Sequence, residues 1–446
     1  MGKEYDIIII GGGIAGLNIA YKLSKNHTNK RVLLLESLDK LGGRIYTYHS
    51  KTWYDSKLEA GAGRFNNDHT RLFELIKDLN LDENIKSIGN AHLLHISNGE
   101  EIKQNVNSFI KRIIKRAKNI PLKELREHSI ITFVRKTKVL SDEELDHLIG
   151  FYGYYSELEL MNAHDAIELF KNGTNPDKEF FVMKGGLSQI ICKMEGEIEK
   201  SENIRVLKNK KVVNVFRRRS RQSTNIHSNN NDVIIVKCED GTEYFCEKCI
   251  LALPKPCFEK FSIIRNAEAS NIGFRRSVDS VICAPLCRIY SYYDNTRNKW
   301  IKEQIYDRYG RTKITTNNML RFLIPINDNI IMTSYTDNVF SEWWKEKYNK
   351  GGMLTINNEI TQQLRNAFNT KSIPIANKTR IFYWDCGVGY WKIGANSKEA
   401  AKIVLNCGEH SGEQNIFICG ENYSEKYQQW IEGALETSEK VFKLLL

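Results

Sequence analysis

Near the start of the chain, Asp6 to Ile10 reads Asp-Ile-Ile-Ile-Ile. No polar residue interrupts the isoleucines, the pattern of a parallel strand buried on both faces. Gly11-Gly12-Gly13-Ile14-Ala15-Gly16 follows, then a helical spacing in which Leu17, Ala20, Tyr21 and Leu23 share a face. Arg31 to Leu35 is a second apolar strand that ends in Glu36. These elements predict one βαβ unit. The spacing predicts helices over 70–81, over much of 108–170, and over 187–200. From Ile204 the period changes to strands, at 204–207, 212–216 and 233–238, with Asp240-Gly241 as a hairpin turn before 244–253. Strand-like patterns return at 280–293 and 381–391. Helical spacing covers 341–368. A buried strand at 415–419 and a helix from Trp430 to Leu445 close the chain.

Composition narrows the class. The chain has 446 residues, 41% hydrophobic and 27% charged, which suits a globular protein of two or three domains rather than a disordered one. No run approaches the roughly 18 apolar residues of a membrane span. The start lacks the apolar core of a secretory signal, so a cytoplasmic protein is expected. None of the 10 cysteines precedes Cys192, and Cys246 and Cys249 form the lone CxxC, so neither a zinc site nor a disulfide scaffold is expected. No metal-site motif stands out. The net charge of +11 is spread along the chain, with one dense cluster at Arg217, Arg218, Arg219 and Arg221. That cluster is expected to be a solvated hairpin loop, not a nucleic-acid site.

The glycine turn carries the first chemistry. Gly11-x-Gly13-x-x-Gly16 lies between a strand and a helix, and Glu36 ends the next strand. A tight turn, close approach of a pyrophosphate, close helix–strand packing and an acid for ribose hydroxyls are what a dinucleotide needs. The helix start, with Ile14 and Ala15, offers free N–H groups to phosphate. Glu36 would repel a 2′-phosphate, which disfavours NADP and leaves NAD or FAD. Leu41-Gly42-Gly43-Arg44 adds a second close approach at Gly43 and a cation for phosphate at Arg44.

This second run resembles the fingerprint of the flavin-containing amine oxidases, the family of monoamine, polyamine and L-amino-acid oxidases. Glu59-Ala60-Gly61-Ala62-Gly63-Arg64-Phe65 resembles that family's segment beside the flavin ring. Val182 to Leu187, the hairpin unit beginning at Val212, and Gly420-Glu421 with Gln429 to Leu435 resemble later motifs in the same order. The resemblance spans nearly the whole chain. It implies an α/β fold: a Rossmann-type, glutathione-reductase-like FAD domain from about 1–90, 185–256 and 395–446. It implies a second, α+β domain from about 91–184 and 257–394, with a mixed sheet and a helical lid. It also implies FAD contacts from Gly11, Gly13, Ile14, Ala15, Gly16, Glu36, Gly43, Arg44, Ala62, Gly63, Arg64, Val212, Gly420, Glu421, Trp430 and Ile431.

On the substrate side the resemblance implies removal of hydride from the carbon α to nitrogen, peroxide formed from oxygen, and hydrolysis of the imine. Two rings are expected to guide the amine: Trp430 and either Trp391 or Tyr390, with Trp391 preferred. Where the family places a lysine near the flavin, this chain carries Arg288. An arginine does not give up its proton, so it cannot serve as a base. The family's covalent cysteine corresponds to Tyr390, so the FAD is expected to be non-covalent. Arg64 resembles the arginine that pairs with a substrate carboxylate in L-amino-acid oxidases; holding FAD phosphate is its alternative role. The expected partners are therefore an amine or amino acid and oxygen, without nucleic acid. The rivals are a desaturase or porphyrinogen-type oxidase of the same family, and an FAD-binding protein without activity.

Overall fold

The computed structural model describes the chain except residues 1–3, 27–28, 54, 90–92, 104–105, 174–177, 219–232, 295, 297–298, 311 and 446. Strand Tyr5–Ile10 sits in the middle of a sheet and pairs in parallel with Val32–Leu35 on one side and Glu243–Leu251 on the other. Ile204–Leu207 extends the first edge, Val233–Cys238 and Val212–Arg218 extend the other antiparallel, and Ile416–Ile418 also pairs with Glu243–Leu251. The four isoleucines divide by period two, as strand geometry requires. Ile7 and Ile9 pack with Leu17, Ile190, Met194 and Leu435 from helices Ile14–Lys25, Ser188–Ile198 and Ile431–Leu445. Ile8 and Ile10 pack on the opposite face with Ile264, Phe274 and Val404. Both faces are covered, which is why no polar residue is tolerated there.

A second sheet runs in the order Lys378–Trp391, Val281–Tyr292, Ile330–Asp337, Phe322–Pro325, Lys313–Thr316, Leu93–Ser97 and Glu100–Glu101. Helix Asn338–Phe368 lies against it through Trp344, Ile356, Ile360 and Leu364, which pack with Ile289 and Ile331. The helical pattern at 341–368 is interrupted at Gly351 and Gly352; Gly352 has φ of 61° and ψ of −154°, which only glycine adopts without strain. Between 106 and 173 the chain folds into short helices around Phe109, Ile113, Phe133, Leu148 and Phe170. Ser141 and Glu144 form a reciprocal capping box at the start of Asp142–Phe151.

Two cysteines depart from the sequence expectation. Cys283 and Cys386 form a disulfide. They come from the adjacent antiparallel strands Val281–Tyr292 and Lys378–Trp391, whose pairing brings the Cα atoms to 5.1 Å. They are 103 residues apart in the chain, so no local spacing signals the bridge. In the basic cluster, Arg217 is bound up in the fold, its Nε 2.9 Å from Glu413. Arg219 and Arg221 lie outside the described residues. Among the described residues no helix is long and apolar enough to cross a membrane.

Glu432 fastens two helix starts together. Its fully buried carboxylate accepts from the backbone N–H of Arg71 and Leu72, at 3.2 and 3.1 Å, and from Arg71 Nη1 at 3.0 Å. It therefore neutralises the positive end of helix Thr70–Asp78 from the first turn of Ile431–Leu445. Glu432→Ala removes one partner of a buried charge set and should cost about 3 kcal/mol of unfolding free energy. A urea midpoint unchanged from wild type would contradict this.

Candidate active site

A cavity of about 2490 Å³ lies between the two sheets. Its wall includes Gly11, Gly13, Ile14, Ala15, Glu36, Gly43, Arg44, Ala62, Gly63, Arg64, Arg288, Trp391, Gly420, Glu421, Trp430 and Ile431. Ordinary small-molecule sites occupy about 300–1,000 Å³, so this one has room for a dinucleotide and a second molecule. Of the residues singled out in the sequence, Gly16 and Val212 are not on the wall. Gly16 is a packing position: a Cβ there would lie 2.1 Å from the Gly11 carbonyl oxygen. Val212 is half-buried at the start of its strand and packs against the central-sheet core.

The glycine turn fits a phosphate group. Gly11 has φ of 107°, and a Cβ on it would strike the Ala252 carbonyl at 2.5 Å. At Gly13 a Cβ would meet nothing within 4 Å, so the missing side chain leaves open space at the helix start. No side chain caps that helix. Its first N–H groups have no intrahelical acceptors and can serve an anion. Glu36 stands behind the turn, with Oε2 accepting from Gly12 N at 2.8 Å and Oε1 from Leu38 N at 2.9 Å. The second glycine run meets the first through Gly42 N and the Gly12 carbonyl, 2.8 Å apart.

Arg44 and Glu421 join the segments around this turn. Arg44 Nη1 lies 2.6 Å from Glu421 Oε1 and 3.0 Å from the Gly387 carbonyl. The other carboxylate oxygen of Glu421 accepts from Gln429 N at 2.9 Å, just before helix Ile431–Leu445. Ile431 opens that helix on the cavity wall.

Segment 59–65 is clamped to the second sheet. The Glu59 carbonyl accepts from Arg288 Nη1 and Tyr290 OH, each at 2.9 Å, and the Ala60 carbonyl from Trp384 Nε1 at 2.8 Å. Arg288 passes so close to Gly63 that a Cβ there would lie 3.0 Å from its Nη1. Arg64 then projects across the cavity, over the Phe180 ring at 4.4 Å and to Tyr154 OH at 3.3 Å. Trp430 stands beside Phe180, ring centres 6.5 Å apart, and beside His69 at 4.8 Å. Burial, with Lys178 nearby, lowers the pKa of His69 to about 3, so the ring is neutral at ordinary pH.

The two candidates for the second ring, Tyr390 and Trp391, both line the cavity. Trp391 touches the wall, but its ring packs in the central-sheet core with Tyr423, centres 6.1 Å apart. Tyr390 faces the other way, beside Ser156, Glu157 and Tyr335. Adjacent residues of a strand point to opposite faces, so the two rings meet the cavity from opposite sides of the strand.

Three groups without any motif complete the site. Lys313 Nζ lies 3.3 Å from Tyr154 OH and 3.6 Å from the centre of the Phe322 ring. Glu157 is buried and accepts a hydrogen bond from Tyr152 OH. Among the described residues no carboxylate comes within 4.0 Å of Arg64, Arg288 or Lys313. In the sequence, Lys313 looks like an ordinary strand-end lysine and Glu157 like a helix-surface acid; only the packing of distant segments buries Glu157 and sets the half-buried Lys313 on the cavity wall.

Burial raises the Glu157 carboxyl from its ordinary 4.5 to about 8, despite the Tyr152 hydrogen bond that lowers it. The folded state therefore holds a proton that the unfolded state has lost, and stability falls as pH rises between these values. The slope is up to about 1.4 kcal/mol per pH unit. Glu157→Gln keeps the acceptor for Tyr152 and removes the ionisation. Denaturant midpoints should therefore fall less steeply with pH in the variant; parallel profiles would rule the assignment out.

Comparison with known proteins agrees with this geometry. A horse protein, amine oxidase [flavin-containing] A, is 37% identical over 81 residues, 18% of this chain and 15% of that one. L-amino-acid oxidase of Crotalus adamanteus is 27% identical over 201 residues, 43% of this chain and 33% of that one. These alignments thus span a third or less of the relatives' own length. A triple mutant of putrescine oxidase redesigned in cofactor binding superposes with a TM-score of 0.71 at 14% identity, covering 99% of this chain and 98% of that one; it shows the shared fold. The model of the flavin containing amine oxidoreductases matches residues 14–441, and the chain belongs to that family.

Proposed function

We propose that the chain is an FAD-dependent oxidase of α-amino acids, which it converts to imines that hydrolyse to keto acids and ammonia, with oxygen as electron acceptor. One observation carries the choice of substrate. Arg64 enters the cavity with Lys313 and Tyr154, and among the described residues no carboxylate lies within 4.0 Å of it. A half-buried guanidinium on a cavity wall favours a carboxylate partner, because the paired hydrogen bonds are charge-assisted and directional. Arg64 is also remote from a phosphate role, since Arg44 already stands by the glycine turns.

Family membership implies a flavin, and the residues fit FAD. Gly13 and the bare helix start suit the pyrophosphate, Glu36 the ribose, and Arg44 the phosphate charge. When bound, the flavin accepts the hydride from the carbon α to nitrogen. The chain's own groups do the rest. Arg64 and Tyr154 hold the carboxylate and so orient the α-carbon. Trp430 and Tyr390 present ring faces to the amine and keep water out. The N-terminus of helix Ile431–Leu445 supplies positive potential where negative charge develops. Arg288 holds segment 59–65 and does not move a proton.

The flavin is held without a covalent bond. The residues that precede the two candidate rings, Gly389 and Tyr390, are not cysteines, and Cys386 is already bonded to Cys283. Acid precipitation should therefore leave FAD in the supernatant. Flavin retained in the pellet would overturn this.

Arg64 gives the sharper test. Amino acids should be preferred to their decarboxylated amines. Arg64→Met should cost the amino acid about 2–5 kcal/mol in kcat/KM and a simple amine little. If the wild type prefers amines that lack a carboxylate, a monoamine or polyamine substrate replaces this reading.

A further inference from the structure

An α-amino acid enters as an ammonium ion, yet hydride leaves the carbon beside a neutral amine. Some group must take that proton. Arg288 stands where the family has a lysine, and it cannot do so. We propose that Lys313 accepts the proton of the substrate's ammonium, and that the substrate's own carboxylate prepares it to do so. This rests on Arg64 being the carboxylate's partner.

The geometry is convergent. Lys313 Nζ and Arg64 Nη2 each lie 3.3 Å from the one oxygen of Tyr154, so they are no further apart than twice that distance. Among the described residues the Tyr154 hydroxyl donates to no acceptor, so its proton is available to a ligand. A carboxylate seated between Arg64 and Tyr154 brings its α-nitrogen within hydrogen-bond reach of Lys313, about 3 Å.

The surroundings of Lys313 disfavour its protonated form until then. It is packed against the rings of Phe322 and Tyr154, at 3.6 and 5.1 Å. The charged and titratable groups that face it are Arg64 from segment 59–65, Arg288 and Tyr335 from the second sheet, and Tyr154 and Glu157 from the helical segment. Burial and Arg64 lower its proton affinity well below the ordinary lysine value, as does Arg288; Glu157 works the other way. Glu157 is itself held protonated by burial, so its help is weak.

An arriving carboxylate reverses this balance. It places a negative charge beside Lys313 at the moment the neighbouring ammonium must lose a proton. The substrate N–H bond breaks, its proton goes to the Nζ lone pair, and the substrate nitrogen keeps the electron pair as a neutral amine. Lys313, now an ammonium, pairs with the carboxylate. When the product leaves, burial and the two guanidiniums return the proton to water. A simple amine brings no carboxylate and must arrive already neutral.

Benzoate, which has a carboxylate but no amine, separates the two claims. Calorimetric titration of the oxidised holoenzyme with benzoate, in buffers of different ionisation enthalpy at neutral pH, counts protons exchanged. Wild type should take up close to one proton per benzoate bound, by linkage. Lys313→Met should bind benzoate without that uptake, and Arg64→Met should lose benzoate affinity tenfold or more. Benzoate that ignores wild type, or binds Arg64→Met equally well, defeats the carboxylate reading itself. Arg64-dependent binding with no proton uptake in wild type, or with the same uptake in Lys313→Met, defeats only the role of Lys313. Lys313→Arg supplies the cation of the bound state permanently and loses the base. It should bind benzoate within a few-fold of wild type while kcat/KM for the amino acid falls by about 100-fold or more. Wild-type turnover in Lys313→Arg would overturn the proposal.

Discussion

The ion pair between Arg44 and Glu421 is the joint on which the cavity depends. One carboxylate gathers three remote stretches of chain: the second glycine turn through Arg44, the approach to the last helix through Gln429 N, and strand Lys378–Trp391 through Gly389 N at 3.5 Å. Arg44 returns to that same strand at Gly387. Glu421 is 5% exposed, so the pair acts in a medium that screens charge poorly. Its three segments carry the second glycine turn, the start of the last helix and the strand of Tyr390 and Trp391. Loosening the joint would move all of them relative to one another.

The substrate half of the cavity has a different electrostatic logic. Among the described residues no carboxylate lies within 4.0 Å of Arg64 or Lys313. Arg64 and Lys313 meet on a phenol oxygen and on aromatic faces, which tolerate a cation without neutralising it. Glu157, the acid that could have balanced them, is buried beside Tyr152 and holds its proton. The site is therefore short of negative charge, and a ligand that brings some is stabilised by the surroundings. This is pre-organisation by charge: the groups are held by packing before any ligand arrives.

The clamp on segment 59–65 links these halves. Arg288 and Tyr290 both donate to the Glu59 carbonyl, and Trp384 to the Ala60 carbonyl. A segment contributed by the first part of the chain is thereby positioned by the second sheet. Arg288 spends its guanidinium on this fastening and on the ring of Tyr335 at 4.5 Å. The departure from the family's lysine thus trades a group able to lose a proton for one that holds backbone. In the proposed reaction, proton transfer then falls to another residue.

The nucleotide half was legible in the sequence because its chemistry is local. A glycine turn between a strand and a helix, with an acid after the next strand, is set by backbone geometry within a few dozen residues. Ile7 to Ile10 announce their double burial by having no polar neighbour. The substrate half was not legible in this way. Lys313, Tyr154 and Glu157 lie in unremarkable stretches, and they become a site only when strand Lys313–Thr316 pairs with Leu93–Ser97 and the helical segment packs against it. The sides from which Tyr390 and Trp391 meet the cavity turned on which face of one strand each occupies. The Cys283–Cys386 bridge turned on the register of two strands far apart in the chain. Motifs encode contacts made by neighbours in sequence. Burial, and the charge states that burial imposes, are set by residues from everywhere else, and only the tertiary structure brings those together.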